Sequence, residues 1–283
     1  MKKNIKFNFL SQLNLLNKSN QTIIPSKLRV GEIYIEKLKP LGGMFKPGIT
    51  KAGRVSLSGF LNDGTKVKVY NSYNSEQIRL RRNLDLHFKN ENVLFSPVIT
   101  SDEFFVVEKW IKGKSFSDLQ PKALDKYSIE LINFLNKIHN ESLFIKLARE
   151  NKNSFCYIRN YLLMRLKPWE QWIPVEKLVK AWHKSDLETE SKIATKISHP
   201  DLSLSNLIVD SDDRIYIVDN ELIGVGKGWI LDKKNSFFRM KVPPLKIDHI
   251  SQNFFNLSWK LRLVGSAIDS GDFERAERMS KLI

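Results

Sequence analysis

Apolar and polar residues alternate in three stretches early in the chain, EIYIEKLKPL, GRVSLSGFL and TKVKVYNS. A period of two predicts strands that bury one face, and Asn62-Asp63-Gly64 supplies a turn between the second and third. The three form an antiparallel meander whose first connection, Leu41–Gly48, carries several glycines. In SEQIRLRRNLDLHF the period lengthens, and Ile78, Leu80, Leu84, Leu86 and Phe88 predict a helix. SPVITS and EFFVVEKWI then predict two more strands around a turn at Ser101-Asp102.

After KGKSFSD the texture is helical. PKALDKYSIELINFLNKIH has Leu124, Ile129, Ile132, Leu135 and Ile138 near helical spacing, with Pro121 suited to a first turn. YIRNYLLMRLKPWEQWI and VEKLVKAWHKSDLETESKIATKI predict further helices separated by Pro168 and Pro174, and the stretch from Ile250 onward is helical again. A short hairpin interrupts them: LIVD and RIYIVD, joined by Ser211-Asp212-Asp213. The expected architecture is α+β and bilobal. An extension of uncertain order covers 1–30, a small antiparallel-sheet lobe covers 31–112, and a larger, mainly helical lobe covers 113–283, the two lobes joining near Lys109–Gly113.

Composition narrows the class. The 283 residues are 42% hydrophobic and 11% aromatic, as in a folded domain. The start MKKNIKFNFL has a basic tip without a long apolar core, so neither a signal peptide nor a membrane span is expected. One cysteine, Cys156, forms no internal disulfide and fits a reducing, cytoplasmic setting. It is expected to be an apolar filler. The net charge of +15 favours anionic partners, yet the basic residues are spread along the chain with no long run and no interleaved basic-aromatic motif. Nucleic acid is therefore not expected as a partner. Peripheral contact with an acidic surface stays compatible with the charge.

The chemistry concentrates in KISHPDLSLSNLIVDSDDRIYIVDNELIG, residues 196–224. Asp201 and Asn206 lie on the loop leading into the first hairpin strand, and Asp219 lies where the second strand leaves. Pairing the strands brings both ends together, so these three side chains should converge. Carboxylate, carboxamide and carboxylate make an oxygen-rich set that suits Mg²⁺.

HPDLSLSN has the form H-x-D-x-x-x-x-N, and Asp219-Asn220-Glu221 follows where kinase-like folds carry their metal-binding acid. Ser203 stands where protein kinases have lysine, Asn-Glu replaces Phe-Gly after Asp219, and no A-P-E follows. The stretch resembles the aminoglycoside phosphotransferase and choline kinase branch, whose pattern is H-G-D-x-x-x-x-N followed by D-x-D or D-x-E. Pro200 in place of glycine is a departure that leaves the reacting groups intact.

The resemblance implies a protein-kinase-like fold and an ATP- and Mg²⁺-dependent transfer of the γ-phosphoryl group to a hydroxyl of a small molecule or glycan. It assigns Asp201 as catalytic, with Asn206, Asp219 and Glu221 at the metal and His199 orienting the loop. Gly42 and Gly43 would cover the phosphates, and Lys68 would contact them. Lys66 points the same way as Lys68, and the choice between them stays open. Glu76 is the expected helix partner of that lysine, with Asp85 as the alternative. The hinge segment FFVVEKWIKGKSF would offer backbone groups of Glu108, Lys109 and Trp110 to an adenine ring.

Two further readings compete. A nucleotide- or partner-binding module without catalysis is motivated by the divergent glycine loop; against it, Asp201, Asn206 and Asp219 are all present. For the acceptor, Tyr157, Arg159, Arg165, Trp169 and Trp172 could line a pocket for an anionic saccharide such as a cell-envelope or capsular sugar. A helix-packing stripe explains those aromatics equally well.

Overall fold

The computed structural model describes residues 24–41, 56–72, 74–88, 91–152, 166, 170–171, 173–190, 196–199, 202–227, 249–270 and 272–283. The alternating stretches form a six-stranded antiparallel sheet in the order β1-β2-β3-β4-β7-β6. Its strands are β1 (Lys27–Val30), β2 (Ile33–Pro40), β3 (Ser56–Phe60), β4 (Lys66–Asn71), β6 (Val98–Ser101) and β7 (Phe105–Lys109). Strand β1 corrects the expectation for residues 1–30. Leu28 and Val30 are buried and pair with Ile35 and Ile33, so the small lobe begins inside the supposed extension.

Helix α1 (Ser75–His87) follows β4, and the Asn74 side chain caps it by accepting the Gln77 N–H at 2.9 Å. Its buried residues include Gln77, Leu80, Arg81 and Leu84, one face at helical spacing. That face continues into Phe88, whose ring lies 4.7 Å from Phe134 and 5.0 Å from Phe144. So the helix follows the small sheet in sequence while its C-terminal half is buried in the helical lobe's core.

Strand β5 (Val93–Phe95) leaves the small lobe altogether. It pairs in parallel with β11 (Ile215–Ile217), in a four-stranded sheet β5-β11-β10-β8 with β10 (Leu207–Val209) and β8 (Lys114–Ser115). Three buried residues without alternation gave the sequence no strand signal. The helical lobe adds α2 (Pro121–Asn140), α3 (Ser142–Glu150), α4 (Val175–Glu188), α5 (His249–Ser270) and α6 (Phe273–Ser280), and a two-stranded ribbon of β9 (Lys196–Ser198) with β12 (Gly224–Gly226).

Helix α4 stops well short of the predicted end at Ile197. Thr189 closes it with its hydroxyl on the Asp186 carbonyl, and Lys227 pairs with Asp186 at 2.9 Å and donates to the Thr189 hydroxyl at 2.7 Å. Lys196 to Ser198 then serve β12 instead. The predicted helix over 157–173 lies almost wholly outside the described residues.

Where hinge meets hairpin the backbones touch. A Cβ on Gly113 would lie 2.1 Å from the Val209 carbonyl oxygen and 2.7 Å from Ile208 Cγ2. Gly113→Ala should therefore push β8 off β10 and cost about 1–3 kcal/mol, the usual penalty of overpacking. Urea unfolding checks this; an unchanged midpoint would refute it.

Candidate active site

The hairpin folds as its pattern requires. Leu207 pairs with Ile217, Ile208 with Tyr216 and Val209 with Ile215. The Val218 N–H donates to the Asn206 carbonyl at 2.9 Å, which sets Asn206 across from the residue before Asp219. Asp219 takes a left-handed backbone, φ 62° and ψ 42°, a conformation that a short polar side chain tolerates better than most. The chain turns there, so the Asp219 side chain is part-exposed while Glu221, two residues on, is buried.

From the small lobe, Lys68 on β4 reaches this turn. Its ammonium donates to Asp219 Oδ1 and Glu221 Oε2. Burial alone would push the lysine down, but Glu221 and Asp219 together outweigh it and hold the ammonium above the ordinary lysine value. A charged ammonium is therefore held at the turn that follows β11.

The two candidate lysines now part company. Lys66 lies on Trp110, its Nζ 3.6 Å from the ring centroid, and takes no part in the carboxylate cluster.

Glu76 is not the partner of Lys68; among the described residues its ion-pair partners are Asp219 and Glu221. The physical reason is rotation. Packing of Leu80 and Leu84 turns the stripe containing Gln77 inward and leaves Glu76 about 100° away. Asp85 instead accepts the Val98 N–H at 3.3 Å. Sequence reading missed Gln77 and Arg81, although two polar residues set in an apolar helical stripe were the available signal.

Arg81 and Glu108 form an ion pair at 2.8 Å, each 1% exposed. Glu108 also accepts from the Tyr70 hydroxyl at 2.7 Å and from Asn220 Nδ2 at 3.4 Å, so one carboxylate ties the helix, the sheet and the turn after β11 together. Burial and the neighbouring Glu108 push the Tyr70 phenol well up. This assigns the Glu108 side chain to structure.

Two of the hinge's backbone donors are already engaged. The Trp110 N–H is spent on the Lys66 carbonyl at 3.0 Å and the Lys109 N–H on the Pro97 carbonyl at 2.9 Å. Strand β7 is interior, with β4 on one edge and β6 on the other, so these donors serve the sheet rather than a base.

Gly42, Gly43 and Asp201 lie outside the described residues, as do Tyr157, Arg159, Arg165, Trp169 and Trp172. The described residues that flank Asp201 in sequence are tied to the rest of the helical lobe. Ser115 Oγ donates to the Leu204 carbonyl at 3.1 Å, and His199 is fully buried. Burial pushes the His199 imidazole down to about 4 despite a hydrogen bond with the Val218 backbone. The unfolded chain takes up this proton near pH 6.5, the folded chain near 4. Stability should thus be full above that upper value and fall by up to about 3 kcal/mol as pH drops to the lower one. Urea midpoints measured across the window check this, with His199→Gln flattening the slope; a wild-type profile with no slope there would refute it.

Among the described residues no three His, Cys, Asp or Glu side chains converge as a metal cluster. Among the described residues, Asn206 and Asp219 stand on the two strands' ends at the hairpin's open side, and a carboxamide with a carboxylate is an oxygen donor set that suits Mg²⁺.

No family model matches the sequence, and no curated protein does. Solved structures do match. A thermostable mutant of aminoglycoside phosphotransferase APH(4)-Ia in its apo form shares 12% identity over 87% of this chain and 92% of its own, with a TM-score of 0.55. The chain has the protein-kinase-like fold of aminoglycoside phosphotransferases. The ternary complex of such a mutant with ADP and hygromycin B aligns over the same shares at 12% identity and a TM-score of 0.51. Plasmodium vivax ethanolamine kinase aligns at 14% identity over 87% of this chain and 81% of its own, with a TM-score of 0.50.

Proposed function

We propose that this protein is a phosphotransferase that uses Mg²⁺ and ATP to phosphorylate a hydroxyl of a small molecule or glycan. The observation that carries this reading is Lys68, a buried cation from the small lobe that meets Asp219 at the open end of the helical lobe's hairpin. Lys68 neutralises phosphate oxygens. Asn206 and Asp219 hold the metal, which when bound supplies charge compensation along the phosphate tail. Asp201 orients the acceptor hydroxyl and takes its proton as the phosphoryl group departs. Because such transfer passes through a loose transition state, positioning and electrostatics do most of the catalysis.

The acceptor we infer is anionic, a phosphorylated or acidic saccharide. The chain's net charge of +15 suits a cationic antibiotic poorly, since that recognition calls for an acidic cleft. On α4, Lys177, Lys180 and Lys184 lie together with Glu176, which pairs with Lys180 at 2.8 Å, so this open face carries a modest excess of positive charge. No described helix is long and apolar enough to cross a membrane. A cytoplasmic setting is part of this proposal.

The test is a transfer assay with labelled ATP and Mg²⁺ over acidic, phosphorylated and neutral saccharides and one aminoglycoside. Acceptor-dependent transfer to an acidic saccharide is expected. Nucleotide binding without transfer to any acceptor would favour the binding-module reading, and absence of nucleotide binding would end the phosphotransferase reading and leave only a partner-binding module.

A further inference from the structure

Asp219 and Glu221 flank one turn, yet the fold treats them oppositely. The Asp219 side chain is 41% exposed and that of Glu221 is 3% exposed. Glu221 is also gripped at both ends. Its carboxylate accepts from Lys68, and its backbone carbonyl accepts from Gln77 Nε2 at 3.0 Å. The same Gln77 amide donates to the Ile223 carbonyl at 2.9 Å, so its two hydrogens hold two carbonyls of the loop that lie two residues apart.

This pattern divides the labour between the two acids. A buried ammonium needs a buried counter-charge, and the inward stripe of α1 presents a neutral amide where an acid would otherwise stand. A carboxylate at position 77 would have no hydrogens to offer and would face two carbonyl oxygens. Glu221 supplies the missing charge from the opposite lobe.

Resting on the phosphotransferase reading, we propose that Glu221 is the positioning counter-ion of Lys68 and not a metal ligand, and that Gln77 clamps it in place. The metal is then left to Asn206 and Asp219. Phosphate binding depends on a three-part relay, Gln77 to Glu221 to Lys68, in which the helix contributes hydrogen bonds and the loop contributes the charge.

The experiment is calorimetric titration of the full chain with ATP over a range of Mg²⁺ concentrations. Asp219→Asn should raise the Mg²⁺ needed for half-maximal nucleotide binding by about tenfold or more, the scale of losing an oxygen ligand or its support. Glu221→Gln should leave that requirement within about twofold and weaken nucleotide binding at saturating Mg²⁺ by about tenfold, roughly one misplaced charged contact. Gln77→Ala should reproduce the second behaviour more weakly with Glu221 still present. A Glu221→Gln protein whose Mg²⁺ requirement moved as far as that of Asp219→Asn would overturn the assignment. Unaltered nucleotide affinity in Gln77→Ala would overturn the clamp.

Pairing is read separately, without nucleotide, by double-mutant cycles in urea. Lys68→Met should couple more strongly to Glu221→Leu than to Asp219→Leu, and the reverse order would also overturn the assignment. A wild-type protein that binds no nucleotide at any Mg²⁺ level would refute the phosphotransferase reading and the functional role of Glu221 with it, whereas the cycles report on the ion pair alone.

Discussion

Asp201→Ala is expected to slow phosphoryl transfer by about 10²–10⁴-fold, the range a positioned general base contributes, while Mg-ATP affinity stays within about twofold, since no charge that grips the nucleotide is lost. The expectation follows from the role proposed for Asp201, which acts on the acceptor hydroxyl and not on the nucleotide. His199 is buried on one side of Asp201, and on the other the Leu204 carbonyl is held by Ser115 and the Asn206 carbonyl by Val218. Loss of the Asp201 carboxylate should therefore leave these flanking hydrogen bonds in place. Initial rates of transfer and calorimetric titration of nucleotide measure the two halves. Transfer as fast as wild type would remove Asp201 from the chemistry, and a parallel loss of affinity would make it part of the nucleotide site instead.

Arg81→Leu should cost about 3–5 kcal/mol of folding stability, the scale of stranding one partner of a buried ion pair. Glu108 would be left 1% exposed with only the Tyr70 hydroxyl and the Asn220 amide beside it. Arg81 also donates to the Ser96 carbonyl just before β6, so its loss frees a backbone acceptor as well. The double variant Arg81→Leu with Glu108→Leu should recover much of that loss, because no charge then remains buried. Urea denaturation of the singles and the double decides it. A single-variant cost under about 1 kcal/mol would place the pair with ordinary surface salt bridges and refute the claim.

Much of the site could be read before any coordinates. Alternation in LIVD and RIYIVD, with a polar turn between, requires a hairpin whose ends meet, and Asn206 and Asp219 sit at those ends. Alternation in TKVKVY likewise sets Lys66 and Lys68 on one face. It says nothing about what each meets, and the two lysines end on different partners, an indole and a carboxylate pair. The choice of Glu76 failed for a related reason. An acid near the start of a helix is easily seen in the sequence, but which stripe faces inward is set by where Leu80, Leu84 and Phe88 find their core. The use of the hinge's backbone donors is equally hidden, because the Lys109 N–H goes to Pro97 and the Trp110 N–H to Lys66 only once β6 and β4 lie on either side of β7.

Local pattern thus determined strands, helices, the hairpin and the spacing of its polar side chains, because periodicity and turn chemistry act between residues a few positions apart. Tertiary structure alone decided that β5 joins the hairpin in parallel, that Glu108 serves as a buried counter-charge to Arg81, and that Lys68 meets Glu221 across 153 positions of chain. Those contacts depend on how whole elements are rotated and stacked, and that orientation is fixed by the shared packing of both lobes around α1, which no short window of sequence contains.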